Sequence, residues 1–172
     1  MEPTRATSAQ RTRVIPGGAG TRRTPPSRLP APVTPLVGRH KECQDVVGAL
    51  RASRMVTLTG PGGVGKTRLA LAVAAQAQQH FAGRAWWVEL APAARGDMVA
   101  QAIADALSAR DGSGLDLVGS VADRIGEDPA LLVLDNCEHL TSACRVVASR
   151  LLAACPRLHI LATSRAPLAV DG

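Results

Sequence analysis

Met55-Val56-Thr57-Leu58-Thr59-Gly60-Pro61-Gly62-Gly63-Val64-Gly65-Lys66-Thr67 carries the strongest structural signal in the chain. A short β-rich run, Met55 to Thr59, opens directly into Gly60 to Thr67. Those eight residues fit the pattern G-x-x-x-x-G-K-[ST] without a gap. The glycines allow backbone conformations barred to residues that carry a Cβ. Successive N–H groups then turn inward and form an anion-binding nest. Thr67 to His80, rich in Ala and Leu, reads as the helix that follows, and its N-terminus adds a positive dipole end. A loop of this kind between a strand and a helix cradles phosphates. The candidate set is Gly60, Pro61, Gly62, Gly63, Val64, Gly65, Lys66 and Thr67, with Arg68 beside it on the helix. Lys66 is expected to reach the β- and γ-phosphates of a nucleoside triphosphate, and the Thr67 hydroxyl to ligand Mg²⁺.

Working outward, apolar residues at Cys43, Val46, Val47 and Leu50 mark a helical stripe over Arg39 to Ala52. Downstream, Ala85 to Leu90 reads as a strand and Asp97 to Ala109 as a helix, with Leu115 to Ile125 as another. Ala130 to Leu134 is a continuous apolar run, as a strand buried on both faces should be. Leu140 to Ala154 is helical and is stopped at Cys155-Pro156. Leu158 to Thr163 is a fourth strand. Strands alternating with helices predict an α/β fold with a parallel sheet covered on both faces, a three-layer sandwich. There is no internal repeat and no heptad run.

The second half of the site is expected at the far ends of the last two strands. Leu131 to Asp135 is an apolar strand ending in an acid, about 70 residues beyond the glycine loop. Asp135 suits a carboxylate that holds Mg²⁺. Glu138, three positions on, is a candidate to polarise water. The alternative is that it caps the next helix together with Asn136. Thr163 or Ser164 is a candidate γ-phosphate sensor, and Arg165 a candidate to neutralise that phosphate. A plain strand-to-loop turn with a solvated Arg is the competing reading.

Charge divides the chain. Its 172 residues carry a formal net charge of +6. Residues 1–35 hold six arginines against the single acid Glu2, whereas the remainder holds 14 basic and 13 acidic residues. Residues 1–35 are therefore expected to be a disordered, basic, Pro/Thr/Arg-rich tail, and 36–172 the nucleotide-binding domain. The tail offers at most weak DNA contact, and it has no aromatic residue to stack on bases. No apolar run is long enough for a membrane span, and no apolar stretch follows the first arginines as a secretory signal requires. A cytoplasmic protein is expected. Cys43, Cys137, Cys144 and Cys155 form no C-x-x-C pair and read as reduced core residues. Cys137-Glu138-His139 does not converge easily on one metal ion.

These segments together resemble a family. Leu36-Val37-Gly38-Arg39, then VTLTGPGGVGKTRLAL, WWVELAP, LLVLDNCEHL and LLAACPRLHILATSRAPL look like the nucleotide-binding domain of STAND-class P-loop NTPases. The chain is similar to the NB-ARC-like ATPase domains of bacterial LuxR-type and antibiotic-regulatory transcriptional regulators, over residues 33–170. The resemblance implies ATP or ADP with Mg²⁺, a sheet order 5-1-4-3-2, and a switch that is closed with ADP and open, often oligomeric, with ATP. It also implies that Val37, Gly38 and Arg39 line the adenine pocket. Asn136 stands where related ATPases place a second acid, which points to slow hydrolysis. Two lysines against 18 arginines, with abundant Ala, is similar to proteins of high-GC bacteria.

The family continues beyond Arg165 with a fifth strand, a lid and further domains, so a truncated module is expected. Without a fifth strand, Val56 to Thr59 is expected to present an open apolar edge and to promote self-association. Four functions compete: an ATP-binding switch module of a regulator, a self-sufficient ATP hydrolase or kinase, a non-catalytic remnant, and a DNA-binding protein in its own right.

Overall fold

The computed structural model describes residues 29–31, 38–109 and 116–170. Val37 and nearly all of the basic tail lie outside the described residues. Four parallel strands form one sheet in the order β1-β4-β3-β2. They are β1 (Met55–Thr59), β2 (Ala85–Glu89), β3 (Ala130–Asp135) and β4 (Leu158–Ser164). Five helices surround them: α1 (His40–Ala52), α2 (Lys66–Ala77), α3 (Met98–Leu107), α4 (Leu117–Ile125) and α5 (Thr141–Ala154). The α/β three-layer sandwich read from the sequence is the observed architecture.

The pleat of β3 explains the layering. Alternate side chains of a strand point to opposite faces. Leu131 and Val133 pack with α1 and α2, through Val47, Leu50, Leu69 and Val73. Leu132 and Leu134 pack with α3, α4 and α5, through Ile103, Val121 and Leu151. Every residue of β3 is buried. A central strand covered on both faces needs such a run, because any polar side chain there loses water on either side.

Register places the site. Thr59 pairs with Ser164 and Glu89 with Asp135, so all four strands end at one level. The loops after β1, β3 and β4 therefore share the carboxyl edge of the sheet, where open α/β sheets bind ligands. Among the described residues β1 pairs only with β4, which leaves its other side without a strand neighbour. Its first four residues are half-buried rather than buried. Also among the described residues, no helix is long and apolar enough to cross a membrane.

Candidate functional site at the carboxyl edge of the sheet

The glycine loop takes the conformation its composition allows. Gly63 and Gly65 have φ of 78° and 87°. These are left-handed values that residues with a Cβ adopt only at a cost. A Cβ on Gly65 would also come within 3.2 Å of an Arg39 guanidinium nitrogen. Gly65 serves as N-cap of α2 without a side-chain hydrogen bond, and the first turn of α2 carries no acid. No carboxylate within the helix's own first turn therefore offsets its dipole end. Lys66 Nζ donates to the carbonyls of Gly60, at 2.8 Å, and Pro61, at 3.0 Å, and so curls across the loop.

Asp135 joins the two halves of the site. It is buried at the tip of β3. Its Oδ1 accepts from the Thr67 hydroxyl at 2.9 Å and from the Thr163 hydroxyl at 2.6 Å. Thr163 Oγ1 in turn accepts from the Asn136 N–H at 2.9 Å. The carboxylate is thereby fixed by the first turn of α2 and the tip of β4, two elements distant in sequence. A hydroxyl and a carboxylate in contact beside a helix N-terminus form a donor set suited to Mg²⁺ with phosphate, since that ion prefers hard oxygen ligands. The residues present fit that group.

A second cluster sits just outside. Asn136 has φ of 66°, a left-handed value that Asn tolerates better than most residues. The chain then tightens into a single 3₁₀ turn, Cys137–His139. That turn brings Glu138 Oε1 to 3.3 Å from Arg165 Nε. With its amide nitrogen facing Glu138, Asn136 donates to both carboxylate oxygens, at 3.1 and 3.2 Å. Arg165 reaches toward the loop as well, since a Cβ on Gly62 would lie 3.7 Å from its guanidinium. Glu138 does not cap α5. Leu140 occupies the N-cap position, and the Thr141 hydroxyl donates back to the carbonyls of Cys137 and Glu138.

Arg39 donates to the Val64 carbonyl at 3.0 Å and pairs with Glu42, so it braces the loop from α1. Gly38, with φ of 78°, precedes it. Arg68 lies exposed on the first turn of α2. Thr163 and Ser164 are buried, and the Thr163 hydroxyl is turned to Asp135. Cys137 and His139 diverge: the thiol is buried, and His139 Nε2 donates to the Ala93 carbonyl at 2.8 Å. The Cys144 thiol, burial and the Asp135 charge push the Cys137 thiol well above the usual thiol range. Sequence reasoning missed the Arg39–Val64 and Arg165–Glu138 links, which join residues 25 and 27 positions apart.

Comparison with known proteins fits this geometry. The model of the AAA ATPase domain family matches residues 35–168. The chain belongs to the AAA ATPase domain family. An uncharacterized protein of Mycobacterium tuberculosis is 41% identical to this AAA ATPase domain over 140 residues, which is 81% of this chain and 36% of that protein. A second M. tuberculosis protein, provisionally named as an HTH-type transcriptional regulator, is 44% identical over 123 residues, or 72% of this chain and 14% of its own length. The chain thus spans about a third of the first relative and a seventh of the second. Among solved structures, the Aeropyrum pernix ORC1 protein in complex with DNA superposes with a TM-score of 0.58 at 22% identity, covering 78% of this chain and 40% of that one. At such identity the likeness speaks for the fold.

Proposed function

We propose that this AAA ATPase domain binds ATP and ADP with Mg²⁺ and serves as a slowly hydrolysing switch within a transcriptional regulator of the STAND, NB-ARC-like kind. The observation that carries the reading is the 2.9 Å hydrogen bond between Thr67 and Asp135 at the N-terminus of α2. It sets the two expected metal-holding groups side by side. Bound Mg²⁺ would neutralise charge on the phosphate oxygens, held through Thr67 and Asp135. Lys66 and the loop N–H groups would bind the phosphates. Gly38 and Arg39, with Val37, would border the base.

Slow turnover follows from the state of Glu138. A general base must be free to take a proton from water. Here its carboxylate is engaged by Arg165 and by Asn136. Arg165 has two roles in this account: its Nε restrains Glu138, while a terminal nitrogen, which faces Gly62, neutralises the γ-phosphate when a triphosphate is present. The relative named for transcriptional regulation supports the regulatory context. DNA contact we assign to other parts of a longer protein or to the arginines of residues 1–35, and self-association to the nucleotide-binding domain.

Equilibrium binding of labelled ATP and ADP with and without Mg²⁺, followed by single-turnover hydrolysis, tests the reading. Tight Mg²⁺-dependent binding with turnover slower than about one per minute is expected, well below the ordinary enzyme range. Turnover of several per second would favour a self-sufficient hydrolase. Absence of binding at millimolar nucleotide would favour a non-catalytic remnant.

A further inference from the structure

The amino end of the sheet holds a cavity that the nucleotide reading does not use. It measures about 350 Å³, within the size range of small-molecule sites. Pro129 stands immediately before β3, and Arg157 immediately before β4. Arg51 belongs to the last turn of α1, and His80 and Phe81 to the 3₁₀ turn Gln78–Phe81 that follows α2. His159, near the start of β4, completes this part of the wall. The length of β4, seven residues at ~3.3 Å each, separates this cavity from the phosphate loop by roughly 20 Å.

The lining is one-sided in charge. It contains two guanidinium groups and two imidazoles, and no carboxylate. Arg51 donates to His80 Nε2 at 2.7 Å, so the neutral His80 ring carries its proton on Nδ1. Among the described residues, no acid pairs with Arg157. The His159 ring leans on Phe81, with centroids 5.3 Å apart. Its Nδ1 is buried without a partner. Placing the His159 proton on Nε2 avoids burying an unpaired donor. The rest of the wall is aliphatic and proline.

Such a wall suits a ligand with an apolar, flat body and an anionic head. Arginine recognises carboxylates in a planar, two-pronged geometry. Aromatic rings favour stacked or tilted planar neighbours. The chain's own residues 1–35, with six arginines, one acid and no aromatic residue, do not have that chemistry. We propose that this cavity binds a small aromatic carboxylate, at a site separate from the nucleotide.

The experiment titrates 1-naphthoate, and its uncharged analogue 1-naphthamide, into the full chain and follows backbone amide resonances. Binding of the acid is expected at least tenfold tighter than that of the amide. Shifts should centre on His80, Phe81 and His159 and spare Gly62 to Gly65. The double variant Arg51→Ala/Arg157→Ala, both exposed positions, should weaken the acid tenfold or more without changing the circular dichroism. Equal binding of acid and amide would overturn the proposal. So would shifts centred on the glycine loop, no saturation at millimolar naphthoate, or a folded double variant that binds as the wild type does. None of these outcomes depends on whether ATP binds.

Discussion

Two arginines at opposite ends of the sheet show how one fold separates structure from function. Arg84, just before β2, is buried: its side chain is 8% exposed, pairs with Asp128 at 2.7 Å and donates to the Ile125 carbonyl. Its guanidinium also lies 5.8 Å from the centre of the Trp86 ring. Arg165, just after β4, has a side chain that is 69% exposed and a longer contact, 3.3 Å, to Glu138. Removing Arg84 leaves a buried carbonyl short of a donor and an indole short of packing. Exposed pairs such as that of Arg165 contribute about 0–1 kcal/mol. The amino end of the sheet therefore uses this cation to hold helix to strand. The carboxyl end leaves its cation exposed and weakly held, as the proposed γ-phosphate contact requires.

The largest expected effect breaks the carboxyl end. Glu138→Gln should lower single-turnover hydrolysis by about 10²-fold, the low end of a general base's usual contribution, because Arg165 and Asn136 restrain the carboxylate. Nucleotide affinity should stay within a factor of about three, since Glu138 is not part of the expected phosphate-binding set. Unchanged hydrolysis would remove Glu138 from the account.

Next comes Arg84→Ala, expected to cost about 2–3 kcal/mol in urea unfolding through the unsatisfied Ile125 carbonyl and lost packing. Loss of less than about 0.5 kcal/mol would dissolve the contrast between the two ends. Arg165→Ala should leave stability within about 1 kcal/mol. It should weaken ATP by about tenfold, the scale of one charge-assisted contact, and ADP by much less. Equal weakening of both nucleotides would deny Arg165 its γ-phosphate role. The smallest effect is at Arg54, which donates to the Leu152 carbonyl at 2.8 Å in the last turn of α5. Arg54→Ala should lower stability by about 1 kcal/mol, without altering nucleotide binding.

How much of this was legible differs along the chain for physical reasons. β1 and β3 were read at their starts, because a β-rich run closed by glycine and a continuous apolar run both carry strong local signals. β3 ends at Asp135, as expected of an apolar strand closed by an acid, whereas β4 extends one residue further than expected, to Ser164. The helix read as Thr67 to His80 instead gives way at Gln78 to a 3₁₀ turn, closed when the Gly83 N–H bonds to the Gln78 carbonyl. That ending depends on one left-handed residue, Ala82, with φ of 50°. Alanine gives no sign of such a role.

Within the site, the approach of Thr67 and Asp135 to each other was legible, because their spacing about the strands brings both to one edge of the sheet. The Thr67–Asp135 contact is what that spacing requires. The left-handed turn at Asn136, the use of the Thr163 hydroxyl to hold Asp135, and the Arg39–Val64 brace were not legible. They depend on how strands and loops from distant segments meet. The sheet order implied by family resemblance, with β4 between β1 and β3, is the observed one for the four described strands.

The most direct test of the central claim is equilibrium binding of labelled ATP with Mg²⁺ to the wild type and to Lys66→Ala. Lys66 is placed over the loop by two carbonyls and is expected to exchange them for phosphate oxygens. Two charge-assisted contacts are together worth about 3 kcal/mol, or roughly a hundredfold in affinity. A loss of that size is expected, with the fold intact by circular dichroism. A folded Lys66→Ala protein that binds ATP as tightly as the wild type would contradict that role for Lys66.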